Sequence, residues 1–193
     1  MNIIKKSNSG FQALPLEGTL LAQRRIFLSD AITMETANEI IQKLLFLETE
    51  DPNGEINIYI SSAGGEVNAG LMIYDQLKGM TDIPINLYCT GMAASMAAII
   101  LAAGQKGRRF ILPHSKVMIH SPYIAGNVGG NAEAIQRTAD SIMETKKTIV
   151  QLLGESTGKS SEEIEMAISF DNTMDAAQAV EFGICDKIVN RIR

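Results

Sequence analysis

Ile83-Pro84-Ile85-Asn86-Leu87-Tyr88-Cys89-Thr90-Gly91-Met92-Ala93-Ala94-Ser95-Met96-Ala97-Ala98-Ile99-Ile100-Leu101 is the stretch that decides how this chain is read. Ile83 to Cys89 is an apolar, strand-like run, Gly91 supplies a turn, and Met96 to Leu101 form a helix of small and apolar residues. A strand, a glycine turn and a buried helix in succession are the repeating unit of an α/β layer fold. The hydroxyl of Ser95 stands at the junction, where the first N–H groups of the helix have no partner and its dipole is positive. An exposed attacking oxygen beside anion-binding donors is what an acyl-transfer nucleophile requires. Taken alone, Ser95 reads first as an ordinary N-cap, because serine caps helices routinely.

The same unit recurs on both sides of this stretch. Upstream, Arg25-Ile26-Phe27-Leu28 reads as a strand, and Thr33 caps a helix with apolar positions at Met34, Ala37, Ile40, Ile41, Leu44 and Leu45. Ile56 to Ile60 alternates as a strand. The glycine loop Ser61-Ser62-Ala63-Gly64-Gly65 follows, and then a helix from Val67 to Leu77. Downstream, Phe110-Ile111-Leu112 and Lys116 to Ile119 flank the Pro113-His114-Ser115 turn. Past the glycine-rich joint Gly126 to Gly130, Asn131 caps a long helix to Leu153 whose apolar residues crowd into its second half. A helix of that length after a hinge reads as a projection that covers its stripe on a neighbour. Ser160 with Glu163, and Asp175 with Gln178, predict two more capped helices before the final strand Ile188-Val189. Residues 1–10 are polar and read as a mobile arm. Phe11 to Gly18, with Pro15, should form no long helix.

A chain of 193 residues is long enough for one domain with a substantial core. Its formal net charge is −5, without a long Lys/Arg run, which argues against nucleic acid as a partner. The two cysteines, Cys89 and Cys185, lack CxxC spacing and imply a reducing compartment. No stretch has the length of a membrane span or a secretory apolar core, so the cytosol is the expected location. Gly154-Glu155-Ser156-Thr157-Gly158-Lys159-Ser160 imitates a phosphate-binding loop, but it has three residues between the glycines where four are needed, and a helix rather than a strand precedes it.

With two histidines in the chain, the search for a base is short. His114 lies in a turn and reads as solvated. His120 follows a strand directly, as Ser95 does, and sites of open α/β sheets collect at the carboxyl ends of strands. A third group must orient the imidazole. Asp171, beside Phe170, is a stronger candidate than Glu162 or Glu163, although composition does not separate it from Asp175. Gly65 N–H and Met96 N–H are the candidate oxyanion donors.

These residues resemble a known family. Gly91-Met92-Ala93-Ala94-Ser95, Val117-Met118-Ile119-His120-Ser121-Pro122 and Asp171-Asn172 are similar to the signatures of the ClpP family, the proteolytic subunits of ATP-dependent Clp proteases. Leu44 to Pro52 and Glu181-Phe182-Gly183 match it as well, and the likeness covers the chain from about Arg24 onward. It implies a ClpP/crotonase-like α/β fold of repeated β-β-α spiral units in a single domain. Residues 1–20 would be a divergent arm, and about 121–153 a strand–helix handle locking two heptameric rings together. It further implies a serine endopeptidase acting on unfolded proteins and short peptides. Ser95 would be the nucleophile, His120 the base, Asp171 its orienter, and Gly65 and Met96 the oxyanion donors. No cofactor is expected. ATP would be spent by an AAA+ Clp unfoldase partner, and a ClpP paralogue could share the ring.

The alternatives are a catalytically quiet subunit of mixed rings and an acyl-CoA enzyme of the related crotonase fold. Three departures from the family pattern stand out. Ala63 replaces a loop proline, which predicts a looser loop; Ser121 replaces glutamine, and Phe170 replaces arginine.

Overall fold

Parallel pairing organises the chain. The structure is a computed structural model describing residues 1–7 and 10–192. Strands β3 (Arg25–Leu28), β4 (Ile56–Ser62), β5 (Ile85–Ala94), β6 (Arg109–Ile111) and β9 (Lys187–Ile188) lie side by side in that order, all parallel. Helices α2 (Met34–Glu50), α3 (Val67–Gly79) and α4 (Met96–Ala102) follow β3, β4 and β5. The α/β reading with a largely parallel sheet therefore holds.

The length of β5 creates a branch. Its first half, Leu87 to Cys89, pairs with β6, while Met92 to Ala94 pair with β7 (Lys116–Ile119). Strand β7 in turn pairs antiparallel with β8 (Asn172–Met174). Gly91, with no side chain to bury, stands between the two halves. The sequence reading ended this strand at Cys89 and did not contain β8 at all. Three residues between two helical segments are too few to show alternation, and only the partner β7 makes them a strand.

Ile26, Ile58 and Leu87 lie in register and belong to the core together with Ile40, Leu44 and Ile73 of the helices. On the adjacent register line, Phe27, Tyr59, Tyr88 and Phe110 form a transverse stack with successive ring centroids 4.8, 5.4 and 5.0 Å apart. Every residue of α4 is buried, which explains its unbroken Ala/Ile/Leu composition.

The amino-terminal reading needs correction. Residues 2–7 are strand β1, paired antiparallel with β2 (Gly10–Pro15), and α1 (Leu16–Ala22) begins directly after Pro15. Polar composition suggested a mobile arm, but the backbone groups of β1 are met by β2, a partner that local composition does not disclose. Asn8 and Ser9 of that stretch lie outside the described residues.

Helix α5 (Ala132–Thr157) starts at the expected Asn131 cap and runs four residues beyond Leu153, ending at Gly158 in the left-handed conformation. At 1.5 Å per residue it is about 39 Å long. Its buried residues, Ile149, Val150, Leu153 and Ser156, all lie in its second half, while Ile135 and Met143 are exposed. The stretch 121–131 before it forms no strand, having no neighbouring strand in the protomer to bond with. Residues 154–157 of the phosphate-loop imitation are helical, which removes that reading. Helices α6 (Ser161–Ala167) and α7 (Ala176–Phe182) carry the capping boxes read from Ser160/Glu163 and Asp175/Gln178. No helix among the described residues is long and apolar enough to cross a membrane.

One buried ion pair closes the fold. Arg109 is 1% exposed, and its Nε donates to Asp186 Oδ2 at 2.9 Å while Nη2 reaches Oδ1. Its Nη1 donates to Ser156 O at 3.1 Å, so a single guanidinium joins β6, the segment before β9, and the end of α5.

Candidate active site

Ser95 joins β5 to α4 with φ +54° and ψ −126°. Arg24 and Ser95 are the non-glycine residues with positive φ among the described residues. Such a conformation costs about 1–3 kcal/mol and persists only where its surroundings impose it. Here the Ser95 N–H donates to Met118 O at 2.8 Å and the residue is wedged ahead of the fully buried α4. The side chain makes no capping bond, so the N-cap reading fails and the hydroxyl is uncommitted. A serine on a strained strand-to-helix turn is the geometry of a nucleophile elbow.

The glycine loop is packed onto that elbow. A Cβ on Gly64, whose φ is +91°, would stand 2.6 Å from Ala94 O, 2.7 Å from Ser95 Cβ and 3.1 Å from Met96 N. The looser loop expected from Ala63 is not what the contacts show. Buried Ser62 donates its hydroxyl to Asp30 O at 2.6 Å and accepts from Gly64 N–H at 3.1 Å, and Ile32 N–H donates to Gly64 O at 2.9 Å. Among the hydrogen bonds of the described residues, none engages the N–H of Gly65 or of Met96. Two free donors, one on the glycine loop and one at the first residue of α4, beside a serine are what a developing oxyanion needs.

Gly64→Ala is therefore expected to lower kcat/KM about 10²-fold, the scale for displacing reacting groups by about 1 Å. Gly79→Ala, where a Cβ meets nothing within 4 Å, is the matched control. Steady-state peptide hydrolysis by both variants checks this, and equal activities would deny the apposition of loop and elbow.

His120 follows β7 as Ser95 follows β5, and these parallel strands bring both residues to one rim. Both line a cavity of about 660 Å³, together with Gly64, Gly65, Phe170 and Asp171. His120 is half-buried, and its ring lies 5.5 Å from that of Tyr123. Its Nδ1 donates to the Ser121 main-chain oxygen at 2.6 Å. Asp171 stands one position beyond the Ile119–Asn172 pair of the antiparallel ladder, which makes it the register neighbour of His120. It is exposed, and no hydrogen bond among the described residues joins it to the imidazole. His114 is exposed in its turn, and Asp175 caps α7 by accepting from Gln178 N–H at 2.9 Å. Neither lines the cavity.

A second, narrow recess adjoins Ser95 and His120 and is walled by Val67, Met96, Ile99, Ile149 and Leu153. Sequence reasoning gave Met96 a role in the site through its N–H but did not assign Val67, Ile99, Ile149 or Leu153 to it. Its available clue was the crowding of apolar residues into the second half of α5, which reads equally well as plain core.

A family model described as Clp protease matches residues 8–192 of this chain.

Proposed function

The chain belongs to the Clp protease family, and from that premise we propose that it is a serine endopeptidase whose nucleophile is Ser95. One observation carries the reading. An uncommitted serine hydroxyl on a strained elbow shares a cavity with His120 and adjoins two unengaged backbone N–H groups. With its proton on Nδ1, the imidazole keeps a lone pair on Nε2 to accept the Ser95 proton as the oxygen attacks a peptide carbonyl. The N–H groups of Gly65 and Met96 receive the developing oxyanion. The imidazolium then protonates the leaving amine, and water, deprotonated by His120, attacks the acyl-enzyme ester, so that the carboxylic product leaves and Ser95 regains its proton. Asp171 supplies the negative charge that steadies the imidazolium. The narrow apolar recess favours an apolar side chain on the residue preceding the scissile bond.

We further propose that the protomers assemble as stacked heptameric rings around the site. The exposed apolar residues of the first half of α5 would be covered by neighbouring protomers. An AAA+ Clp unfoldase would deliver unfolded chains and consume the ATP, and the site itself would need no cofactor. A reducing cytosol suits the unpaired, buried Cys89 and Cys185.

A fluorophosphonate probe, which acylates activated serines, tests the proposal. Covalent label on Ser95, located by peptide mass spectrometry and absent after Ser95→Ala, is the expected result. An unlabelled, assembled protein would point instead to a catalytically quiet subunit.

A further inference from the structure

Val67 and Pro122 wall both the Ser95 cavity and the narrow recess, and they also wall a third hollow of about 520 Å³ between residues 122–124 and the first half of α5. The three spaces are therefore continuous, and a polypeptide held at Ser95 has a path along the helix. One face of α5 lines that path with Arg137, Thr138, Ser141, Ile142 and Thr145, at spacings of three and four residues. Nearer Ser95 the same helix offers Ile149 and Leu153. The lining thus turns from apolar to polar with distance from the nucleophile.

The hydrogen-bonding sense of the hollow is defined. Thr138 and Thr145 donate their hydroxyl protons to Ala134 O at 2.9 Å and Ser141 O at 3.0 Å, which leaves their oxygens as acceptors. Arg137 is the one charged residue lining the hollow. It is exposed, and no ion pair or hydrogen bond among the described residues engages its guanidinium. Asp140, one turn on, instead accepts from Gln136 Nε2 at 2.8 Å. An unengaged guanidinium presents a fork of donors that matches a carboxylate. Along the helix axis Arg137 lies about 18 Å from Ile149, a span of about five extended residues.

Resting on the serine-peptidase reading, we propose that this hollow is a substrate subsite in which Arg137 binds a carboxylate. The preferred substrates are unfolded chains with Asp or Glu within about five residues of the scissile bond. The recess takes the apolar side chain beside that bond, and Arg137 reads a negative charge farther along.

The test uses the assembled protein and paired internally quenched peptides that differ by one Asp-for-Ala exchange, scanned over about five positions on each side of an apolar residue. The wild type should cleave the best acidic peptide about three- to fivefold better than its neutral parent, through KM, as expected of a solvent-exposed ion pair. Moderate salt should shrink the preference. Arg137→Ala should abolish it, Arg137→Lys should retain part of it, and Arg137→Glu should invert it in favour of a Lys-containing peptide.

Equal cleavage of acidic and neutral peptides by the wild type at every position, or the wild-type ratio in Arg137→Glu, overturns the proposal. So does altered sedimentation of Arg137→Glu with no charge preference in the wild type, the result expected if a neighbouring protomer fills the hollow. Binding of the same peptides to the Ser95→Ala protein, read by fluorescence anisotropy, tests the hollow without turnover. Fluorophosphonate labelling of the wild type is scored separately. Its absence together with a charge preference in anisotropy refutes the peptidase reading and leaves Arg137 as a carboxylate site, whereas labelling without any charge preference refutes only the role of Arg137.

Discussion

Ser95→Ala is expected to remove nearly all peptide hydrolysis, lowering kcat/KM by about 10³-fold or more, and His120→Ala should do the same. Without the hydroxyl there is no acyl-enzyme, and without the imidazole there is no acceptor for its proton. What survives is the weaker catalysis provided by oxyanion donors and substrate binding alone. Because the two residues act as a unit, the double variant should be little worse than either single one. The fold should tolerate Ser95→Ala, since the serine side chain makes no capping bond in the structure. Peptide turnover and sedimentation of the same preparation check both halves. Normal turnover by an intact Ser95→Ala assembly would exclude Ser95 as the nucleophile.

Asp186→Asn should be strongly destabilising, by about 3–5 kcal/mol, because it leaves the Arg109 cation buried without its counter-charge. That is a large share of the 5–15 kcal/mol that holds a domain folded. The same pair sets an acid limit. Burial pushes the Asp186 carboxyl upward. Hydrogen bonds from the Arg109 guanidinium and main chain, the Arg109 charge, and Gly107 N–H outweigh burial and hold it below its ordinary value of 3.8. A carboxyl depressed in the folded state contributes stability that is complete above its unfolded value. The contribution is lost as the pH falls through the folded value. Urea unfolding of the wild type should therefore show this contribution intact at pH 6–7 and declining below about pH 4. The Asp186→Asn protein should be weaker at neutral pH and lack that component of acid loss. Equal midpoints for the two proteins at pH 7 would show that the ion pair contributes no net stability.

The local chemistry of the chain was legible without coordinates. Thr33, Asn131, Ser160 and Asp175 cap the helices they were expected to cap. This is because a capping bond spans only three residues and depends on nothing farther away. The strands Arg25–Leu28 and Lys116–Ile119 match the runs read for them, because Ile26, Leu28, Val117 and Ile119 alternate along each strand as one face packs on the core. The pairing of Ser95 with His120 followed from their common place after parallel strands, and both do line one cavity.

Long-range partners decided the rest. Strands β1 and β8 exist because another segment meets their backbone groups, and no short window of sequence states where that segment lies. The positive φ of Ser95 is imposed by Met118 O and the burial of α4, so the same residues allowed a cap or an elbow until the tertiary contacts chose. Gly64 could be seen as a turn residue, but only the structure shows the Ser95 elbow pressed against its missing Cβ. Asp171 shows the division at its finest. A sequence can nominate an ionisable side chain to orient a histidine, but only the pairing of β7 with β8 makes Asp171 the register neighbour of His120.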